Sequence, residues 1–388
     1  MPRPLRQLAL LLVLLLSLAG ARAEAPPQIS LLTFAPGEIY WQRFGHNALL
    51  VQRNGEARVY NYGIFDFRQK NFALNFARGE MRYRLAAEPL ADTLWLYQQE
   101  GRWVQQQVLA LDPAQARALA AFLEHNARPE NAEYRYDYFL SNCSTRVRDA
   151  LDQATQGALR RALQGQPSGT DYRREVTALI APAGLALALG MDLGLGPLAD
   201  APIDRWAHGF LPLALMQAVR EVQLAPGRAL VAAEASLLGP VDERPAPAAP
   251  DPFWAFLLIG PLLALLLAAA AARRPGLYRA SAAGLALLLG LGGLILAAGW
   301  AFSAHWAVWR NATLLLLNPL WWALLPALLS GRRGRASRAL AVLIALGGVL
   351  ALPLAGLQDQ RIGHWWLLLA PLQAVLLLGL LRPRPQSA

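Results

Sequence analysis

The sequence predicts an α+β domain followed by an all-α bundle of five transmembrane helices. Three observations carry this. Residues 24–250 are mixed in character, whereas 251–388 are dominated by Leu, Ala, Trp and Gly. Asn54-Gly55 stands between two β-rich runs, the strongest short-range hairpin signal. Helix-start residues, Asp112-Pro113 and Ser141-Asn142, each open a run with helical signals.

Residues 1–23 come first. Arg3 and Arg6 precede an apolar run from Leu8 to Leu18, then Ala21-Arg22-Ala23. That is the layout of a secretory signal peptide, cleaved after Ala23; the run is short for a membrane span. The domain expected next covers 24–238. Its first strands are 28–34, 44–51 and 57–63. A two-residue turn at Asn54-Gly55 sets the register: Arg53 pairs with Glu56, Leu50 with Val59, Ala48 with Asn61 and His46 with Gly63. Asn61 then becomes the diagonal neighbour of His46 on one face, where a carboxamide can hold an imidazole tautomer. Asp66 lies further along and is less well placed.

A mixed stretch follows, then a helix from Asp112-Pro113 to about Asn126, with Asp112 as cap. The aromatic run 134–139 leads into Ser141-Asn142-Cys143-Ser144-Thr145. Beyond it Val147, Ala150, Leu151 and Ala154 recur at helical spacing. Ser141 or Asn142 caps this helix, so Cys143 sits in its first turn. Unpaired N–H groups and the helix dipole there favour an anion, predicting a lowered thiol pKa and a place for an oxyanion. Residues 155–250 read as helical and Ala/Leu-rich, with no chemistry of their own. A proline-rich linker covers 239–252.

Five spans are expected near 253–272, 281–302, 312–330, 338–357 and 363–381, within 253–388, each about the length needed to cross hydrocarbon. Arginines orient them. Arg273, Arg274, Arg332, Arg333, Arg335, Arg338, Arg382 and Arg384 fall on one side, while the opposite turns hold only Arg310 and Arg361. Positive residues stay inside, so the first domain faces the periplasm and the C-terminus the cytoplasm, as the leader independently predicts. This also accounts for the net charge of +10, in a chain whose single lysine is Lys70; nucleic-acid binding is not expected. The outer turns carry His305-Trp306 and His364-Trp365-Trp366. Tryptophans there anchor to the interface. Asn318 and Pro319 fall inside the third span, where a polar side chain faces protein or a water-filled cavity. His305 and Asn311 are therefore candidates for a headgroup-level pocket, against a plain role in helix packing.

Cys143 is the only cysteine, in a chain directed to an oxidising compartment, so its thiol is either hidden or used. Taken singly, a lone cysteine is a small buried hydrophobe and a lone histidine a structural group. Together, a cysteine opening a helix and a strand histidine beside an orienting Asn suggest a nucleophile–base pair. His46, His125 and His208 are too scattered for a metal site, and no cofactor is expected. Arg146 and Arg148 could bind a phosphate or simply form a solvated helix face.

The order His, Asn, then Cys opening a helix resembles the permuted papain-like fold of the NlpC/P60-like and lecithin-retinol-acyltransferase-like groups, which act on acyl chains or peptides. A closer resemblance is to the bacterial Lnb family. It rests on Phe44-Gly45-His46-Asn47-Ala48-Leu49, on the run 60–67, and on Tyr138-Phe139-Leu140-Ser141-Asn142-Cys143-Ser144-Thr145-Arg146. Further likeness lies in Gly190-Met191-Asp192-Leu193-Gly194 through Asp200, Phe210-Leu211-Pro212, His305, and Asn311 through Pro319. The resemblance implies a permuted papain-like periplasmic domain on an inner-membrane anchor. It implies lipoprotein N-acylation, with a membrane phospholipid as acyl donor and the amine of a diacylglyceryl-cysteine lipoprotein as acceptor. Cys143 and His46 would be catalytic with Asn61; Asn142, Arg146, Asp66, His305 and Asn311 are candidate substrate contacts. A peptidase or amidase, a phospholipase, and a non-catalytic envelope protein are the alternatives.

Overall fold

The computed structural model describes residues 25–381. The expected leader, together with Arg382 and Arg384, lies outside the described residues. Asn54 and Gly55 both take positive φ and close the hairpin between β2 (His46–Arg53) and β3 (Glu56–Ile64). The register runs Arg53 with Glu56 and Leu50 with Val59, as the turn residues predict, and is recorded as far as Leu49 with Tyr60. The third strand begins one residue earlier and ends one later than expected.

Around this hairpin stand β1 (Gln28–Phe34), β4 (Arg82–Pro89), β5 (Val104–Leu109), β6 (Glu133–Arg135) and β7 (Val231–Leu238). They form one antiparallel sheet in the order β7-β5-β1-β2-β3-β4-β6. The β7 strand corrects the helical expectation for 155–250. Its Ala-rich sequence favours a helix locally, but pairing with β5 decides otherwise.

The pleat sends alternate side chains to opposite faces. Leu32, Phe34, Ala48, Leu50 and Val59 pack against Tyr97 of α2 (Leu90–Gln99), which follows the short α1 (Phe72–Arg78). Ile29, Leu31, Leu49, Tyr60 and Tyr62 face α3 (Pro113–Asn126), α4 (Cys143–Ala154) and a later helix, Pro212–Glu221. Each fully buried leucine here contributes roughly 1.5–3 kcal/mol. Asp112 and Asn142 cap α3 and α4 in reciprocal capping boxes with Gln115 and Thr145.

Among the described residues, five segments are long and apolar enough to cross a membrane: Phe253–Arg273, Pro275–Phe302, Ala312–Ser330, Arg335–Gly356 and Gly363–Leu381. The second and fourth begin earlier than expected. The third is not a continuous α-helix. It consists of 3₁₀ turns at Ala312–Leu315 and Pro319–Leu324, then a helical turn at Leu325–Ser330. Pro319 lacks an N–H, and Asn318 bonds the Leu320 N–H instead of continuing the helix. Irregular backbone at membrane depth must be satisfied by protein. Gln373 of the fifth span supplies this by donating to the Leu316 carbonyl at 2.8 Å. Gly293 of the second span admits the broken segment, since a Cβ there would lie 1.7 Å from the Leu317 oxygen.

The soluble half rests on two turns of the membrane half. Asp200, buried, accepts from Arg173 at 2.8 Å and from Arg361 at 2.7 Å. Asp171 accepts from Arg361 as well. Asp192, at the end of an apolar helix Leu185–Gly194, meets His364 at 2.7 Å and the Trp365 indole at 2.6 Å. In the other turn, Trp306 donates to Asp137 and the Ala304 N–H to the Arg78 carbonyl. The Arg-rich connections at 273–274 and 332–338 lie at the far ends of these spans.

Candidate active site

Cys143 opens α4, whose buried face holds Val147, Ala150 and Leu151 against the sheet. Three backbone N–H groups, of Asn47, Ser144 and Cys143 itself, reach its sulfur and favour the thiolate. Burial outweighs them and pushes the thiol pKa up from its ordinary value. The lowering expected from the helix start alone is thus corrected: desolvation is the larger effect at this position.

Asn47 ties the helix to the sheet. Its carboxamide donates to Thr33 at 2.8 Å and to the Leu32 carbonyl, and accepts from the Ser144 hydroxyl at 2.9 Å. Ser144 donates also to the Gly209 carbonyl. These contacts hold the Asn47 N–H against the sulfur. Sequence reasoning passed over Asn47, although its place beside His46 was a usable signal.

His46 pairs with Phe34 across the ladder, and their rings lie 5.4 Å apart. The ring's Nε2 lies 3.1 Å from Asn61 Oδ1. A carboxamide oxygen only accepts, so Nε2 carries the proton and Nδ1 is the basic nitrogen. Burial lowers the His46 pKa to about 4, against a small upward pull from Asn61, with Arg102 adding to the lowering. Both shifts favour the uncharged forms, the neutral imidazole and the neutral thiol.

His46 and Asn47 are adjacent and point to opposite faces, Asn47 toward α4 and His46 over Phe34. No hydrogen bond joins the His46 ring to the Cys143 sulfur among the described residues. The two groups share the end of β2 instead. The β3 strand is irregular there, its pairing with β4 shifting between Asn61 and Ile64. Gly63, at φ +92°, lies in that shift, and a Cβ on it would stand 3.4 Å from the Cys143 Cβ.

The arrangement offers a thiol under three N–H groups and, at the same end of β2, an imidazole fixed by a carboxamide. Comparison with protein-family models gives two matches: the Lnb N-terminal periplasmic domain over residues 24–177 and the Lnb transmembrane domain over residues 246–381. The chain belongs to the Lnb family. No curated protein and no solved structure matched it. Membership makes it a membrane protein with a periplasmic domain and suggests a role in lipoprotein processing; the Lnb family is associated with enzymes of lipoprotein biogenesis.

Within this Lnb chain the remaining candidate residues separate clearly. Asn142 is buried and fully engaged: its oxygen caps the Thr145 N–H, and its amide donates to the Tyr138 and Phe210 carbonyls. It shapes the loop before Cys143 and has no group left for a substrate. Asp66 sits on an exposed loop and binds the Arg68 N–H and side chain. It does not touch the His46 ring, which Asn61 holds. Arg146 is half-buried, stacked 4.4 Å over the Tyr134 ring and donating to Ser141. Arg148 is buried against Trp206 and paired with Asp149, which removes it from any solvated face.

His305 and Asn311 join the halves of the Lnb chain. His305 Nε2 lies 2.8 Å from the Phe76 carbonyl, with its ring stacked on Tyr138. Asn311 is buried; it donates to the Leu193 and Gly194 carbonyls and accepts from Thr313 and Gln360. Its polar atoms are satisfied within the protein, so the headgroup-pocket expectation for Asn311 is replaced by a docking role. Asp200 likewise packs the halves together.

Proposed function

We propose that this chain is a thiol-dependent lipoprotein N-acyltransferase of permuted papain-like architecture, with 24–238 in the periplasm, 239–252 as linker and the C-terminus in the cytoplasm. The observation that carries this is the His46 Nε2 to Asn61 Oδ1 bond at 3.1 Å, one residue from the N–H that meets the Cys143 sulfur. The chain order His46, Asn61, Cys143, with the cysteine opening a helix packed on the sheet, supports the architecture. The docking of the soluble half on the outer turns supports the topology, because five crossings leave residue 381 on the opposite side.

His46 Nδ1 takes the thiol proton as the sulfur attacks an ester carbonyl of a membrane phospholipid. Ring and sulfur are not bonded in the unliganded chain, so this step requires the His46 ring to turn toward the sulfur when substrate binds. The N–H groups of Asn47, Ser144 and Cys143 surround the developing oxyanion. The carbon–oxygen bond breaks, the leaving oxygen takes the proton from His46, and a lysophospholipid departs. The amine of a diacylglyceryl-cysteine then attacks the thioester, its proton passes to His46, and the thiol is restored. A ping-pong pattern follows. The membrane anchor serves this chemistry because drawing an acyl chain into water costs ~0.8 kcal/mol per CH₂.

The test uses the full chain in vesicles with phospholipid labelled in its acyl chain. The label is expected on Cys143 in hydroxylamine-sensitive form, and then on an added diacylated lipopeptide. Label released only as free fatty acid would reassign the protein as a phospholipase. No label on Cys143 would end the thioester reading.

A further inference from the structure

Resting on the acyl-transfer reading, we propose that a strip of aromatic side chains running from Gly63 to His305 is the path by which one acyl chain of a membrane phospholipid leaves the outer leaflet for Cys143. The strip is Phe65, Phe67, Phe72, Phe76 and Tyr138, flanked by Trp41. Its near end is at the thiol: Phe65 is two residues from Gly63, whose α-carbon faces the Cys143 Cβ. Its far end is at the bilayer. Phe76 lies 6.2 Å from the His305 ring, which follows the end of the second span at Phe302 by three residues.

Between these ends the rings are continuous. Phe65 to Phe72 is 6.5 Å and Phe72 to Phe76 is 6.4 Å. Phe67 fills the corner between Phe65, Phe72 and Trp41, at 4.9, 5.1 and 5.9 Å.

Four of its rings are open, and Phe65 and Phe72 are partly buried between them. Phe67 is 58% exposed, and Trp41, Phe76 and Tyr138 are about 40% exposed. Contiguous exposed rings of this kind mark an interaction surface. Two features identify the occupant. First, α1 carries two of these rings, Phe72 and Phe76, and is bonded through the Arg78 carbonyl to the Ala304 N–H, so it lies at the level where the second span leaves the membrane. Second, the segment 65–82 that carries the rings holds four basic residues, Arg68, Lys70, Arg78 and Arg82, against two acids, Asp66 and Glu80, and Asp66 is already paired with Arg68. Aromatic rings with basic neighbours, placed where a span leaves the membrane, fit the acyl region and phosphate of a lipid.

The experiment places the full chain in vesicles of phosphatidylethanolamine and phosphatidylglycerol. A small fraction of phosphatidylethanolamine carries a photoreactive diazirine in one acyl chain. After illumination, crosslinked peptides are mapped. Crosslinks are expected on 65–76, on Trp41 and on Tyr138, and their yield should fall at least fivefold in a Phe67→Ser/Phe76→Ser variant that unfolds at the wild-type temperature. Trp95, on α2 and 63% exposed, serves as the control. Crosslinks confined to the five spans overturn the proposal, as does equal labelling of Trp95. Because crosslinking requires no reaction at Cys143, the outcome is read independently of the thioester test. A mapped strip with an unacylated cysteine would keep this surface and remove the transferase.

Discussion

Arg361 of the last outer turn closes on Asp200 at 2.7 Å, a carboxylate already held by Arg173 from within the soluble half. Asp200 and Arg173 are almost wholly buried, and Arg361 is partly open to solvent. Losing the carboxylate removes the charge that the two guanidinium groups share and leaves Arg361 with Asp171 and Arg173 with Asp192, so the cost is toward the lower end of the roughly 3–5 kcal/mol of a broken buried pair. Asp200→Ala should lower the melting temperature of the detergent-solubilised chain far more than Arg361→Ala does. Equal melting temperatures for the two variants would show that the buried pair contributes nothing.

The catalytic assignment predicts a graded series. Cys143→Ala and His46→Ala should abolish acyl transfer. Asn61→Ala keeps the ring but frees its tautomer and orientation, so the rate should fall by roughly 10²-fold, the order seen for a mis-set general base. The measurement is initial transfer to a lipopeptide. An Asn61→Ala enzyme with unaltered rate would leave the His46–Asn61 bond without a catalytic meaning.

Burial keeps His46 neutral, with its pKa lowered to about 4 from an unfolded value of 6.5. Between those values the unfolded chain binds the proton and the folded chain does not. Stability conferred by the neutral ring is therefore complete above pH 6.5, declines as pH falls, and levels off below about 4. His46→Gln, which cannot titrate, should flatten that part of the curve. Denaturant unfolding at a series of pH values checks this; parallel curves for the two proteins contradict it.

The raised thiol pKa carries its own consequence. With His46 neutral and no ion pair, Cys143 should react slowly with a small water-soluble alkylating reagent at pH 7, and the rate should climb above pH 9. A fast reaction at neutral pH would mean a preformed thiolate.

Gly293 sets the approach of the second and third spans. An added Cβ meets the Leu317 carbonyl at 1.7 Å, which is backbone and cannot swing aside. Gly293→Ala should cost about 1–3 kcal/mol by forcing the spans apart. Thermal unfolding of the full chain measures it, and the neighbouring exposed-face change Gly284→Ala, with nothing within 4 Å, is the reference.

Local signals were legible in the sequence and distant ones were not. Asn54-Gly55 dictated a turn, hence a register, and hence the pairing of a ring with a carboxamide fifteen positions away. Asp112 and Asn142 marked helix starts because a cap acts on residues two and three positions on. The apolar runs gave five spans because hydrocarbon thickness imposes a length. The break at Asn318-Pro319 was visible as two residues, but its consequence depended on Gln373 and Gly293 from other spans. His305 and Asn311 were singled out as candidates for a headgroup-level pocket. Their docking roles rest on carbonyls of Phe76, Leu193 and Gly194, far off in the chain, which leave no mark on the spacing around them. The thiol pKa went astray for the same reason: a helix start is local, and the burial that outweighs it comes from the sheet.

The clasp formed by Asp192, Asp200, Arg361 and His364 also sets an altitude. A sulfur bolted at one height over the bilayer meets what drifts sideways within the leaflet, so encounter becomes a two-dimensional search. Turnover should then follow the mole fraction of donor lipid in the surface and be indifferent to the total volume in which the vesicles are suspended.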